Sequence, residues 1–79
     1  MEKTEISNRI KKILEDILKH NRFEMQDDLK AADVDGWDSL THVIIITGIE
    51  QDFNIKFKLK ELNKLTDMGS LIELINSKL

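Results

Sequence analysis

The chain has 79 residues, of which 41% are hydrophobic and 34% charged, and its formal net charge is -3. This length allows one small domain, residues 1–79, which buries only about 60% of the surface that the unfolded chain exposes. The absence of cysteine excludes disulfides, thiolate metal sites and thiol nucleophiles. The acidic balance argues against a nucleic-acid partner, and the longest apolar run, residues 43–46, is too short to span a bilayer. Because the N-terminal segment is charged and unlike a secretory signal, we expect a cytoplasmic protein without stable membrane association.

The first predicted helix rests on six aliphatic residues that recur at helical spacing. These are Ile6, Ile10, Ile13, Leu14, Ile17 and Leu18. Thr4 is the expected N-cap, and Glu5 would lie near the positive end of the helix dipole. Lys19 and His20 are expected to close the last turn, where positive charge is favoured.

A long loop with one short helical turn is predicted for residues 21–38, which show no clear period. Between residues 24 and 38 the chain has six acidic residues and one lysine, a net charge of -5. We therefore expect self-repulsion in this loop, which low pH or divalent cations would relieve. A loop of this length in a small domain is usually functional or disordered.

The second helix is predicted to begin at Asp38, a strong N-cap residue that follows the turn-forming Gly36. One arc of this helix would face the core, with Ile45, Ile46, Ile49 and Phe53. The opposite arc would carry Leu40, Ile44, Thr47 and Gln51. Local propensity opposes a helix here, because residues 43–47 are all β-branched and Gly48 follows them.

The segment after Phe53 alternates apolar and polar residues as far as Lys60. A lone strand cannot satisfy its hydrogen bonds, so we interpret this segment as an extended connector that leads into a short third helix. Aliphatic residues at helical spacing from Met68 to Leu79 then predict a last helix, capped by Thr66 or Asp67. The sum is an all-α fold.

The most informative motif is the sequence Gly-Trp-Asp-Ser-Leu at residues 36–40, which places Ser39 at the start of a helix after a long loop. Here the chain resembles the acyl carrier protein family, whose modification site is an Asp-Ser-Leu at the start of the second helix. The resemblance spans residues 4–78, including the Phe-Asn-Ile that ends the second helix and the Leu-Thr-Asp before the last one. It implies a four-helix acyl-carrier-like bundle with a long loop between helices 1 and 2 and a short third helix.

The resemblance also implies a function. Ser39, flanked by the motif residues Asp38 and Leu40, would receive a 4′-phosphopantetheine arm from a phosphopantetheinyl transferase. The arm would hold acyl groups as thioesters for acyl-loading and acyl-processing enzymes, and the chain, a monomer, would catalyse nothing itself. Free N–H groups and the positive dipole at a helix start would favour the phosphate.

In the family the second helix is the main recognition surface, so the expected partner-binding residues are Leu40, Ile44, Thr47, Glu50 and Gln51. This helix carries fewer acidic residues than is usual in the family, and Ile44 stands where an acidic residue is common. That difference leaves both a fatty-acid pathway and a specialised lipid or polyketide pathway open. The alternative in which Ile44 packs under the loop also stays open.

Trp37 is interpreted either as a mark of a specialised carrier or as an anchor that pins the loop to the bundle. Trp37 and the small number of acidic residues on the second helix leave open the alternative that the chain is a peptidyl or aminoacyl carrier, such as a D-alanyl carrier. An unmodified helical interaction module is a further alternative.

Other constellations point to no additional chemistry. The residues that could line an acyl groove are better interpreted as core; they are Ile45, Ile46, Ile49, Phe53, Leu62 and Ile72. The acidic segment that begins at Asp33 lacks the glycine and glutamate of a calcium loop, so no metal site is predicted. No catalytic pairing of side chains is evident from the spacing, and His20 and His42 are expected at the surface.

Overall fold

The computed structural model describes all 79 residues and contains four α-helices and no strand. Helix α1 spans Lys3–Leu18, α2 spans Ser39–Phe53, α3 spans Leu59–Leu62 and α4 spans Met68–Ser77. A 3-10 turn at Ala31–Asp33 interrupts the long loop between α1 and α2. This order confirms the predicted four-helix, all-α fold, including the short third helix. No helix combines the length and the apolar character that crossing a membrane requires.

The core is one cluster of eleven buried residues contributed by α1, α2, α4 and the connector after α2. Its members are Ile6, Ile10, Leu14, Ile45, Ile49, Phe53, Ile55, Met68, Leu71, Ile72 and Ile75. The periodic stripes of the sequence therefore identified the buried faces. Five residues depart from the expectation: four are only half-buried, namely Ile13, Ile17, Leu18 and Leu62, and Leu79 lies beyond the end of α4 and is 49% exposed.

The ends of α1 differ from the prediction. The helix begins at Lys3 with Glu2 as its N-cap, and no side chain caps it, so Thr4 lies inside the first turn. At the other end Lys19 is the C-cap, in the left-handed conformation with φ 64°, and its N–H donates to the Glu15 carbonyl. Lys19 and His20 therefore lie outside the helix, because this left-handed cap ends it at Leu18, two residues earlier than expected.

Helix α2 forms despite its β-branched run because tertiary packing outweighs local propensity. Four of its residues are buried, and Gly48 faces two isoleucine side chains of α1. A Cβ built at Gly48 would lie 3.4 Å from Ile13 Cγ2 and 3.7 Å from Ile17 Cδ1, ordinary contact distances.

The long loop is fastened to α4 by two backbone hydrogen bonds. The N–H of Met68 donates to the Leu29 carbonyl at 2.7 Å, and the N–H of Gly69 donates to the Asp27 carbonyl at 2.8 Å. A Cβ on Gly69 would lie 3.1 Å from that carbonyl oxygen, closer than most side-chain contacts, so a side chain here would press against the loop. The glycine near the start of α4 therefore accommodates a specific loop contact.

Candidate functional site

Ser39 is the first residue of α2 and its side chain is exposed. Neither its hydroxyl nor its backbone N–H makes a hydrogen bond within the protein. The one serine at the junction of the loop and α2 therefore presents an unused nucleophilic oxygen to solvent. Another enzyme can reach such a hydroxyl, and no side chain of the protein is hydrogen-bonded to it.

Asp38 and Thr41 fix the start of α2 through a reciprocal capping box. Asp38 Oδ1 accepts from the N–H groups of Leu40 and Thr41, each at 3.0 Å, and the N–H of Asp38 donates to Thr41 Oγ1 at 2.8 Å. The Thr41 hydroxyl also donates to the Gly36 carbonyl at 2.6 Å. The pKa of Asp38 lies below its ordinary value because these hydrogen bonds stabilise the charged carboxylate, and the bond from the Thr41 N–H has the largest effect.

This cap changes one expectation about the site. Sequence reasoning counted on several free N–H groups to receive a phosphate, yet the Asp38 carboxylate already takes those of Leu40 and Thr41, and the His42 N–H donates to the Asp38 carbonyl at 2.8 Å. Only the Ser39 N–H stays free. A phosphate on Ser39 would thus be held by its covalent bond and would extend into solvent, which the open position of the hydroxyl allows.

Trp37 anchors the end of the loop to α2. Its indole N–H donates to His42 Nδ1 at 3.0 Å, and the two rings stack with centroids 6.2 Å apart. Both residues are half-buried and line an apolar pocket of about 80 Å³, together with Ile46, Met68 and Leu71 among others. Of the six residues considered for an acyl groove, only Ile46 lines this pocket. The structure therefore gives Trp37 an anchoring role and places His42 beside it, away from open solvent.

The outer face of α2 leaves large aliphatic side chains in solvent directly after Ser39. Leu40 is 74% exposed, Val43 62% and Ile44 50%, so Ile44 does not pack under the loop. Thr47 and Gln51 are also exposed and continue this face. Glu50 differs: it is half-buried, and its carboxylate accepts from the Phe57 N–H at 2.8 Å.

Sequence reasoning missed three residues of this region. Val43 could have been found from its spacing, because it lies three residues after Leu40 and four before Thr47. Thr41 completes an Asp-x-x-Thr variant of the capping box, a weaker signal than the usual Glu or Gln. The pairing of Trp37 with His42 has no signal in the sequence.

The acidic loop does not form a metal site, and no three His, Asp or Glu side chains converge elsewhere. Its acidic residues make one ion pair, between Asp35 and Arg22 at 3.8 Å, and none with Lys56, Lys58, Lys60 or Lys64. The pKa of Asp38 is lowered rather than raised. Acid therefore removes a stabilising interaction at Asp38, opposite in sign to the expected relief of repulsion.

Comparison with known proteins identifies a similar solved structure. No protein-family model matches the chain. The solution NMR structure of a holo acyl carrier protein from Geobacter metallireducens superposes with a TM-score of 0.85 and is 32% identical in sequence. The match covers 92% of this chain and 84% of that one.

Proposed function

Because the chain belongs to the acyl carrier protein family, we propose that Ser39 is its attachment site for 4′-phosphopantetheine. Members of this family are carriers rather than enzymes, and so is this chain. The observation that carries the proposal is the Ser39 hydroxyl, which is exposed and unbonded at the first residue of α2. The similar Geobacter structure is of a holo carrier, which supports the same modification here.

The residues around Ser39 would hold the site in place without taking part in the reaction. Asp38 and Thr41 use their polar atoms on the backbone, and Trp37 is held by His42, so the reacting oxygen is presented from a fixed turn. A phosphopantetheinyl transferase would supply the base that takes the proton from Ser39 Oγ. This oxygen would attack the pantetheine-bearing phosphorus of a diphosphate donor, so that the Ser39 phosphodiester forms, the P–O bond to the bridging oxygen breaks, and the nucleotide half of the donor leaves. When attached, the arm provides the thiol that this cysteine-free chain lacks, and tethering raises the effective concentration of its thioester near a bound enzyme.

Coexpression with a broad-specificity phosphopantetheinyl transferase, followed by intact-mass measurement, tests the proposal. The expected result is the added mass of one phosphopantetheine on the wild type and none on Ser39→Ala. Ser77→Ala is the matched control, since Ser77 is the other fully exposed serine and its hydroxyl bonds only to the Leu74 carbonyl. Addition to Ser39→Ala, or none to the wild type with any transferase tried, would contradict the assignment.

The exposed residues of α2 are the proposed contact face for partners, with Leu40, Ile44, Thr47 and Gln51 at its surface and Glu50 beside them. We propose that these partners belong to a fatty-acid pathway or a specialised lipid or polyketide pathway, and that the chain works as a cytoplasmic monomer. The anchoring contact of Trp37 with His42 explains the tryptophan without an aminoacyl cargo. Loading assays with purified acyl-transferring and aminoacyl-transferring enzymes, read by intact mass, distinguish the two cargoes.

A further inference from the structure

The solvent-exposed side of α2 and α3 combines apolar side chains with unpaired positive charge. Three exposed aliphatic residues, Leu40, Val43 and Ile44, occupy neighbouring positions on α2, and Leu59 at the start of α3 is 74% exposed. The three α2 residues are neighbours on one helix face, and contiguous apolar surface of this kind marks an interaction site more often than scattered single residues do. We call Leu40, Val43 and Ile44 the apolar strip.

Four lysines lie in the nine-residue stretch 56–64 after α2, at positions 56, 58, 60 and 64, and all are exposed. None forms an ion pair, although the chain has more acidic than basic residues. The nearby carboxylate of Glu61 pairs instead with Lys78 at 2.9 Å, and its pKa is lowered by bonds from the Lys58 N–H and from Lys78. The lysine charges are therefore available to a partner.

The connector after α2 brings these lysines alongside the contact face. The chain reverses at Asn54, which has φ 57°, and the Phe57 N–H then donates to the Glu50 carboxylate on α2. Ile55 is buried and Phe57 half-buried, so the alternation of the connector turns Lys56 and Lys58 outward. The positive charges of Lys56 and Lys58 therefore border the second half of α2. The Glu50 carboxylate nearby already accepts a hydrogen bond from the Phe57 N–H and forms no ion pair with these lysines.

We propose that the apolar strip and the four lysines form one docking surface, whose partner presents an apolar patch bordered by carboxylates. The inference rests on the proposed function, because it specifies the chemistry of the enzymes that this carrier meets. Contact of the apolar strip supplies the affinity, and the charges set orientation and association rate.

Binding of three designed helical peptides to the unmodified, ¹⁵N-labelled chain tests the proposal. The peptides share one leucine stripe and carry glutamate, glutamine or lysine on the polar face. We expect the glutamate peptide to bind tightest, to shift the amide signals of residues 40–47 and 56–64, and to weaken as salt rises. Because the chain has a net charge of -3, bulk attraction alone would favour the lysine peptide. Tighter binding of the lysine peptide to this face would overturn the proposal.

Two double variants test whether the lysines after α2, rather than lysines elsewhere on the chain, attract the glutamate peptide. Lys56→Gln with Lys60→Gln should weaken the glutamate peptide roughly threefold or more, as expected for two exposed pairs. Lys11→Gln with Lys12→Gln makes the same charge change on the exposed surface of α1 and should leave the dissociation constant unchanged. Equal effects of the two variants would overturn the assignment to α3.

The outcomes also separate this inference from the carrier function. A chain that is modified on Ser39 but shows no preference for the glutamate peptide refutes the docking chemistry alone. A chain that prefers the glutamate peptide but is not modified refutes the attachment site alone. Self-association through Leu40 and Ile44 without peptide, seen by sedimentation, would assign the surface to a second copy and overturn the proposal.

Discussion

Alanine at two helical glycines should change stability in opposite directions. In both cases alanine favours the helix by about 1 kcal/mol where the new methyl group fits. At Gly48 the added Cβ would meet only the ends of two isoleucine side chains, at 3.4 and 3.7 Å. Gly48→Ala should therefore raise the free energy of unfolding by about 1 kcal/mol.

At Gly69 the surroundings make the same substitution destabilising. The added Cβ would lie 3.1 Å from both the carbonyl oxygen and the Cβ of Asp27, and this carbonyl is held by the Gly69 N–H. Making room for the Cβ would stretch that hydrogen bond, so we expect an overpacking cost in the upper part of the usual range, about 2–3 kcal/mol, which exceeds the helical gain of about 1 kcal/mol. We expect Gly69→Ala to lower the free energy of unfolding by about 1–2 kcal/mol.

Urea and thermal unfolding of both variants, followed by helical circular dichroism, measure the difference. A gap of about 2–3 kcal/mol between the variants corresponds to roughly 10–20 °C in Tm for a chain of this size. The dependence of unfolding on urea should be unchanged, since neither residue alters the surface exposed on unfolding. Gly69→Ala with wild-type stability would refute the fixed contact between loop and α4, and a marked loss in Gly48→Ala would refute the packing of α1 on α2.

Three other predictions follow from single contacts. Because the folded pKa of Asp38 is lowered, its charge stabilises the fold above the unfolded pKa of about 4, and this stability is lost as pH falls through the folded value. The Tm of the wild type should therefore fall more steeply below about pH 5 than that of Asp38→Asn, and parallel curves would refute the assignment. Arg9 lies 4.3 Å above the Phe53 ring and is paired with a carboxylate, so Arg9→Met should cost about 1–2 kcal/mol in urea unfolding; no loss would contradict both contacts. His42→Ala removes the acceptor of Trp37, the one tryptophan, whose emission should move to longer wavelength; an unchanged spectrum would contradict the anchor.

The sequence predicted well those features that depend on spacing along one helix. The core includes Ile6, Ile10 and Leu14 from the first stripe and Ile45 and Ile49 from the inward arc, because periodicity reports which side of a helix faces the core. The other three residues of the first stripe, Ile13, Ile17 and Leu18, are partly buried at its edge. Asp38 caps α2 as predicted, since its side chain bonds to N–H groups only two and three residues away. Short-range chemistry of this kind can be inferred from the sequence.

Contacts between distant segments could not be predicted in this way. No sequence pattern relates Gly69 to the long loop, whereas the structure brings the Asp27 carbonyl oxygen within 3.1 Å of the position that a Cβ on Gly69 would occupy. Nothing in the sequence aligns Trp37 with His42, because their contact depends on the path of the loop into α2. The start of α1 was misplaced at Thr4 for a related reason: packing of the buried stripe lets the helix extend to Lys3 without a side-chain cap.

The junction between the loop and α2 separates the groups that stabilise it from the group proposed to react. The polar side chains of Asp38 and Thr41 form the capping box of α2, and the indole N–H of Trp37 donates to His42. Ser39 makes no hydrogen bond to any of these side chains. Esterifying Ser39 would therefore break no interaction of the folded chain, so a carrier could gain and lose its arm without refolding. The same separation holds one turn further along α2, where the exposed side chains of Leu40 and Ile44 add little to the core and are free to contact a partner.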